Sequence, residues 1–215
     1  MIRVPHRATV VRDLRLPSHE AVVELAGRHA HAQSLEPDLR RLAADLTQGL
    51  LRVDLRGAQA IARWIRGYIR YRQETPGVEV LQGAYTTLKH RVGDCDDLVL
   101  LWMALCRSVG IDATFVGVRR RGSTGFVHAV GYVPSLRMYY ELTDDRRYGG
   151  RRAAIEQTTL PAGCEGLYWS PDDERLHLAV GGGPGWSNRA MSCVDVPLFP
   201  VVAIGVVAAV VLWRA

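Results

Sequence analysis

The apolar positions of this chain change their period along its length. Residues 2–16 alternate around Val4, Val10 and Val11, which predicts an extended lead-in. From 17 to about 33, Val22, Val23, Leu25 and Ala26 fit a helix. A second helix is predicted over roughly 37–50, with Pro37 in its first turn and Leu39, Leu42, Ala43, Leu46 and Leu50 on one stripe. Ala60, Ile61, Trp64, Ile65, Tyr68 and Ile69 recur at steps of three and four and predict a third, which ends before Pro76-Gly77. Beyond the run Val78 to Gln82, a short helix fits 86–91 and Gly93 breaks it. A strongly apolar helix then runs from about Cys95 to Val109, with Gly110 as its stop.

After Gly110 the period turns to two. Strands are predicted at 113–118, 126–133 and 138–143, with turns at 122–125 and at Pro134-Ser135. A further hairpin fits 167–169 and 175–180. Helices first and an antiparallel sheet second give an α+β fold. Gly181 to Gly185 reads as a linker; no Gly-Lys-Ser/Thr follows it, so it is no phosphate loop. Residues 197–213 carry no charge and are nearly all apolar. As a helix they would span about 26 Å, near the thickness of a bilayer core. Trp213 and Arg214 make an interfacial end. The expected organisation is therefore an N-terminal extended segment and helices (1–57), a catalytic-size core (58–180), a Gly-rich linker (181–196) and a C-terminal membrane anchor (197–213).

Composition adds exclusions. Apolar residues at 48% and charged residues at 23% of the 215 exclude wholesale disorder. The formal charge is +5 and the pI near 9.3. Lys89 is the sole lysine, so the excess is arginine, and it is not gathered into runs. Arg119-Arg120-Arg121 is the densest stretch and reads as a turn between strands. No nucleic-acid-binding signature is present, and no nucleic-acid partner is expected. The four cysteines form no CxxC pair, so no metal is expected. The polar start is not a signal peptide, which points to a reducing compartment. The expected location is a cytoplasmic catalytic domain held by the tail, or a virion.

The chemistry concentrates in Gly93-Asp94-Cys95-Asp96-Asp97. It sets a cysteine at a helix start, where free N–H groups and the helix dipole favour thiolate. Asp96 and Asp97 oppose this, so an imidazolium must offset them. Of the seven histidines, His128 alone sits within an apolar strand. If Pro134-Ser135 is a two-residue turn, or Val133 to Leu136 a four-residue loop of the same register, His128 lies directly across from Glu141, and the carboxylate can hold the imidazole. Asp144 and Asp145 are rivals that a bulge would favour. Cys106, mid-helix among leucines, is expected to be buried and inert.

A nucleophile at a helix start, a base on one strand and an orienter on the next resemble the transglutaminase-like (papain-like thiol) superfamily. Gly93-Asp94-Cys95-Asp96-Asp97, Arg107-Ser108-Val109-Gly110-Ile111, Val127-His128-Ala129 and Tyr140-Glu141-Leu142-Thr143 carry the resemblance, over about 58–150. With Val80-Leu81-Gln82 ahead of the cysteine, it looks like the short phage and prophage members. The resemblance implies Cys95 as nucleophile, His128 as general base and Glu141 where the family usually has aspartate. By analogy with thiol proteases, Gln82 is an oxyanion-hole donor beside the Cys95 N–H. It implies hydrolysis of a peptide or isopeptide amide through a thioester, or transamidation by the same intermediate. The substrate would be a protein or peptide, and no cofactor is implied. The competing reading is a non-catalytic interaction module, virion-associated. Acetyl transfer fits less well, because no extended cofactor-binding region is evident.

Overall fold

The computed structural model describes residues 19–50, 53–73, 81–122, 126–143, 155–158, 160 and 163–179. The lead-in, Asp144, Asp145, the Gly-rich stretch and the apolar tail lie outside them. Among the described residues no helix is long and apolar enough to cross a membrane. The helices are α1 (His19–Ser34), α2 (Pro37–Thr47), α3 (Ala58–Tyr68), α4 (Ala84–His90) and α5 (Cys95–Ser108), with a π turn at Val53–Gly57 before α3. A two-residue strand β1 (Arg70–Tyr71) pairs in parallel with β2 (Val92–Gly93). The main sheet holds β3 (Thr114–Arg120), β4 (Phe126–Val133), β5 (Met138–Tyr140), β6 (Glu156–Gln157), β7 (Cys164–Ser170) and β8 (Arg175–Ala179). Its order is β6-β5-β4-β3-β7-β8 and its described pairings are antiparallel. The expected α+β architecture is the one observed.

Helix α5 is the centre of the molecule. Leu98 to Cys106 are all buried, so this helix is apolar around its whole circumference, as a helix enclosed on every side must be. The stripes of α1, α2 and α3 (Val23, Ala26, Leu39, Leu42, Ile61, Ile65) close on it in one cluster. Trp102 Nε1 donates to the Ala58 carbonyl at 3.0 Å and ties α3 to α5. At the other end, the Arg107 guanidinium donates to the Ala113 carbonyl at 3.0 Å and fixes the link into β3. The opposite side of the sheet carries a smaller cluster of Val116, Val118, Val130, Tyr139, Leu160 and Cys164. Cys164 is disulfide-bonded.

The helix meets the sheet at one very close approach. The Trp102 ring lies against Gly131 of β4, and a Cβ at Gly131 would stand 2.3 Å from the nearest ring carbon. A glycine is therefore required by space, not by backbone angle. Gly131→Ala should cost about 1–3 kcal/mol by overpacking. Chemical denaturation checks this: an unchanged midpoint would mean that the ring moves aside freely.

The β4–β5 connection differs from the expected two-residue turn. Pro134–Leu136 form a 3-10 turn and Arg137 follows in the left-handed region (φ 51°). Val133 pairs with Met138, Tyr132 with Tyr139 and Gly131 with Tyr140. The loop is thus Pro134 to Arg137, and the register moves by two residues from the predicted one. An even shift keeps every side chain on its face. β5 also ends at Tyr140, short of the predicted Thr143.

Candidate active site

Gly93, Asp94 and Asp97 of the Gly-Asp-Cys-Asp-Asp run have structural tasks. Asp94 is the N-cap of α5 and Cys95 its first residue. The Asp94 carboxylate accepts from the Asp97 N–H, and the Asp97 carboxylate accepts from the Asp94 N–H at 3.3 Å, a capping box made by two aspartates. Gly93 leaves the room for it: a Cβ there would stand 2.7 Å from the Asp97 Cβ. Cys95 is half-buried, packed against the main core, at the positive end of the α5 dipole. Cys106 is fully buried in mid-helix, and burial pushes its thiol well above the usual range. The two thiols of α5 are thus opposed in character.

The sheet that follows α5 carries the other two candidates. The link from α5 to β3 is short, so β3 runs back along the helix and ends near its start. β4 pairs antiparallel to β3, with His128 opposite Val118. From Trp102 back to Cys95 is about 10 Å along the helix, and from Gly131 back to His128 is about 10 Å along the strand. The Trp102–Gly131 contact therefore anchors both steps.

His128 is fully buried and its Nε2 lies 2.8 Å from Glu141 Oε2, itself only 1% exposed. The other carboxylate oxygen, Oε1, accepts from the Thr143 N–H at 2.9 Å and from the Thr143 hydroxyl at 2.7 Å. The predicted pair forms, but by another geometry. In the observed register the position opposite Glu141 is Val130, so the bond to His128 runs diagonally. A glutamate arm spans a diagonal that the shorter aspartate would not. Thr143 was not foreseen. Its signal was local: a hydroxyl and an N–H two residues beyond a carboxylate.

Gln82 is placed differently from the expectation. Its N–H donates to Asp97 Oδ1 at 2.6 Å, and its side-chain amide donates to Asp97 Oδ2 and, at 3.4 Å, to the Val92 carbonyl. Both amide hydrogens thus serve to hold the segment before α4 onto the start of α5. The cause is a buried carboxylate within reach of Gln82. Asp97 has no exposed surface; burial and the neighbouring Asp94 charge push it well above the ordinary carboxyl range, and the Gln82 donors offset part of that rise.

The donor atoms of Asp94, Cys95 and Asp96 lie within 4.8 Å of one another. They are the described residues that could hold a cation together. No step below uses one.

No curated protein matches the chain. Among solved structures, it is similar to a candidate protease from Parabacteroides distasonis, at 12% identity and TM-score 0.49, over 66% of this chain and 29% of that one. It is also similar to a candidate cysteine protease from Cytophaga hutchinsonii, at 19% identity and TM-score 0.42, over 74% of this chain and 57% of that one. The chain thus spans less than two thirds of the length of either. The family model of the transglutaminase-like superfamily matches residues 40–147, a stretch that runs from α2 past Cys95, His128 and Glu141. By that match across half its length, the chain belongs to the transglutaminase-like superfamily.

Proposed function

We propose that the protein is a cysteine-dependent acyl-transfer enzyme that hydrolyses an amide of a peptide or protein. The observation that carries this reading is the buried His128–Glu141 pair, in a chain whose Cys95 is the first residue of α5. A buried imidazole beside a carboxylate is built to accept a proton and keep it as imidazolium. With Nε2 on Glu141, Nδ1 is the nitrogen that exchanges a proton with the thiol.

His128 takes the Cys95 proton, and the thiolate attacks the carbonyl carbon. The oxyanion is met by the Cys95 N–H at the helix start. The tetrahedral adduct collapses to a thioester, and the amine leaves with the proton from His128. Water, deprotonated by the same imidazole, then releases the acid.

The test is intact-mass analysis during turnover of a peptide library, joined to thiol labelling. A covalent adduct should appear on Cys95 and disappear on hydrolysis. Iodoacetamide should modify Cys95 at least about tenfold faster than Cys106, which is buried and protonated. Comparable rates in the folded protein, with no adduct from any peptide, would leave only the fold and favour a non-catalytic module.

A further inference from the structure

We propose that Thr143 is a positioning residue of the site: it sets the direction of the Glu141 carboxylate and, through it, of the His128 imidazole. This inference rests on the acyl-transfer reading and adds the residue that aims its base. The sheet alone aims neither member of the pair. The β3–β4 register moves by one beside His128: Val118 lies opposite His128, but Arg119 lies opposite Phe126, which leaves Val127 as the extra residue of β4. A bulge re-aims the side chains next to it, so the pleat does not fix the ring. Glu141 follows Tyr140, the last residue of β5, and so stands beyond the β4–β5 ladder. Its side chain also has one more rotatable bond than an aspartate would have.

Glu141 is held instead at both ends. At its root, the Glu141 N–H donates to the Ile155 carbonyl at 2.8 Å. At its tip, Oε1 accepts from the Thr143 N–H at 2.9 Å and from the Thr143 hydroxyl at 2.7 Å. Two donors on one oxygen fix the rotation of the carboxylate about its last bond. Oε2 is thereby turned to His128 Nε2 at 2.8 Å. Glu141, Thr143 and His128 are all buried, so water has little access to replace the hydroxyl. A hydroxyl that donates to a carboxylate makes one of the stronger hydrogen bonds of a protein. A catalytic group works only when held within about 0.5 Å of its productive position by neighbours that are themselves locked. Thr143 supplies that lock: it holds Glu141, and Glu141 holds the base.

The test is a double-mutant cycle of Thr143→Val and Glu141→Ala in the full-length protein. On a peptide found by library screening, Thr143→Val should lower kcat about ten- to a hundredfold, with KM within about twofold of wild type. Thr143→Ser keeps the hydroxyl and should recover kcat to within about threefold. In the Glu141→Ala background, Thr143→Val should cost less than about twofold, because the carboxylate through which it acts is gone. Thr114→Val is the control: that buried hydroxyl donates to the Trp169 carbonyl at 2.9 Å, and its loss should leave kcat unchanged. Proton NMR of the Cys95→Ala protein reads the same positioning without turnover. The His128 Nε2–H, identified by its loss in His128→Gln, should resonate far downfield, as an N–H bonded to a carboxylate does. Thr143→Val should move it upfield or broaden it away, and Thr143→Ser should keep it. If Thr143→Val melts early, Thr143→Ala against Thr143→Ser, compared below both midpoints, gives the same contrast. An equal cost in both backgrounds, a serine variant as poor as the valine, or an unmoved Nε2–H would overturn the proposal. A failure of the acyl-transfer reading shows up separately, as the absence of any adduct on Cys95, and the NMR comparison still decides what aims His128.

Discussion

Glu141→Gln should lower kcat by about three to four orders of magnitude while KM moves little. The size follows from which way the new amide must face. In the wild type, Oε1 accepts two donors from Thr143 and Oε2 faces His128 Nε2. Glutamine has one oxygen. The Thr143 N–H and hydroxyl hold that oxygen, so the NH2 is turned toward His128. An amide N–H facing Nε2 forces Nε2 to accept, and the ring proton moves to Nδ1. The imidazole is then the wrong tautomer to take a proton from Cys95. The imidazolium also loses the negative charge that stabilises it inside a buried site. Glu141→Asp should fall between the two, because the charge remains but the shorter arm does not span the diagonal to His128. Steady-state kinetics on a peptide found by library screening checks the series. A Glu141→Gln enzyme within about tenfold of wild type would remove Glu141 from the orienting role.

That diagonal also marks where the sequence stopped being readable. Partner and face were legible, because alternation along a strand is local and a two-residue slip preserves it. The register was not, because it depends on how the chain turns at 134–137. Arg137 occupies a left-handed position without being glycine or asparagine, so it gave no turn signal. The central helix was legible from its unbroken apolar run and from Gly110, and Cys95 at its start followed. Within the same run, the Asp94 to Asp97 spacing was a capping box in plain view. What could not be seen was that Asp97 reaches back to Gln82, because fifteen residues of sequence separate two groups that the fold places in contact. The β1–β2 pair is the extreme case. Two residues on each side give no period, yet that pair lays Arg70 and Tyr71 against Val92 and Gly93, just ahead of the nucleophile.

Asp97→Ala is expected to have the largest effect on stability, about 3–5 kcal/mol, from donors left without acceptors in a buried setting. One carboxylate serves the Gln82 N–H, the Gln82 amide and the Asp94 N–H. Its loss unfastens the segment before α4 and frays the first turn of α5, so thiol labelling of Cys95 should lose its selectivity as the melting midpoint falls. Asp97→Asn should be milder, and its cost should depend on pH in a definite direction. The folded state raises the Asp97 pKa, chiefly by burial and then by Asp94. A raised carboxyl pKa contributes stability that is fully present below the unfolded value near 3.8 and is lost as pH climbs through the folded value. Asparagine does not titrate. The stability gap between wild type and Asp97→Asn should therefore be widest in acid and narrow as pH rises above about 4. Denaturant midpoints of the two proteins, measured in parallel across that range, check the sign. A gap that widens with pH would mean that the Gln82 and Asp94 donors outweigh burial and hold Asp97 ionised.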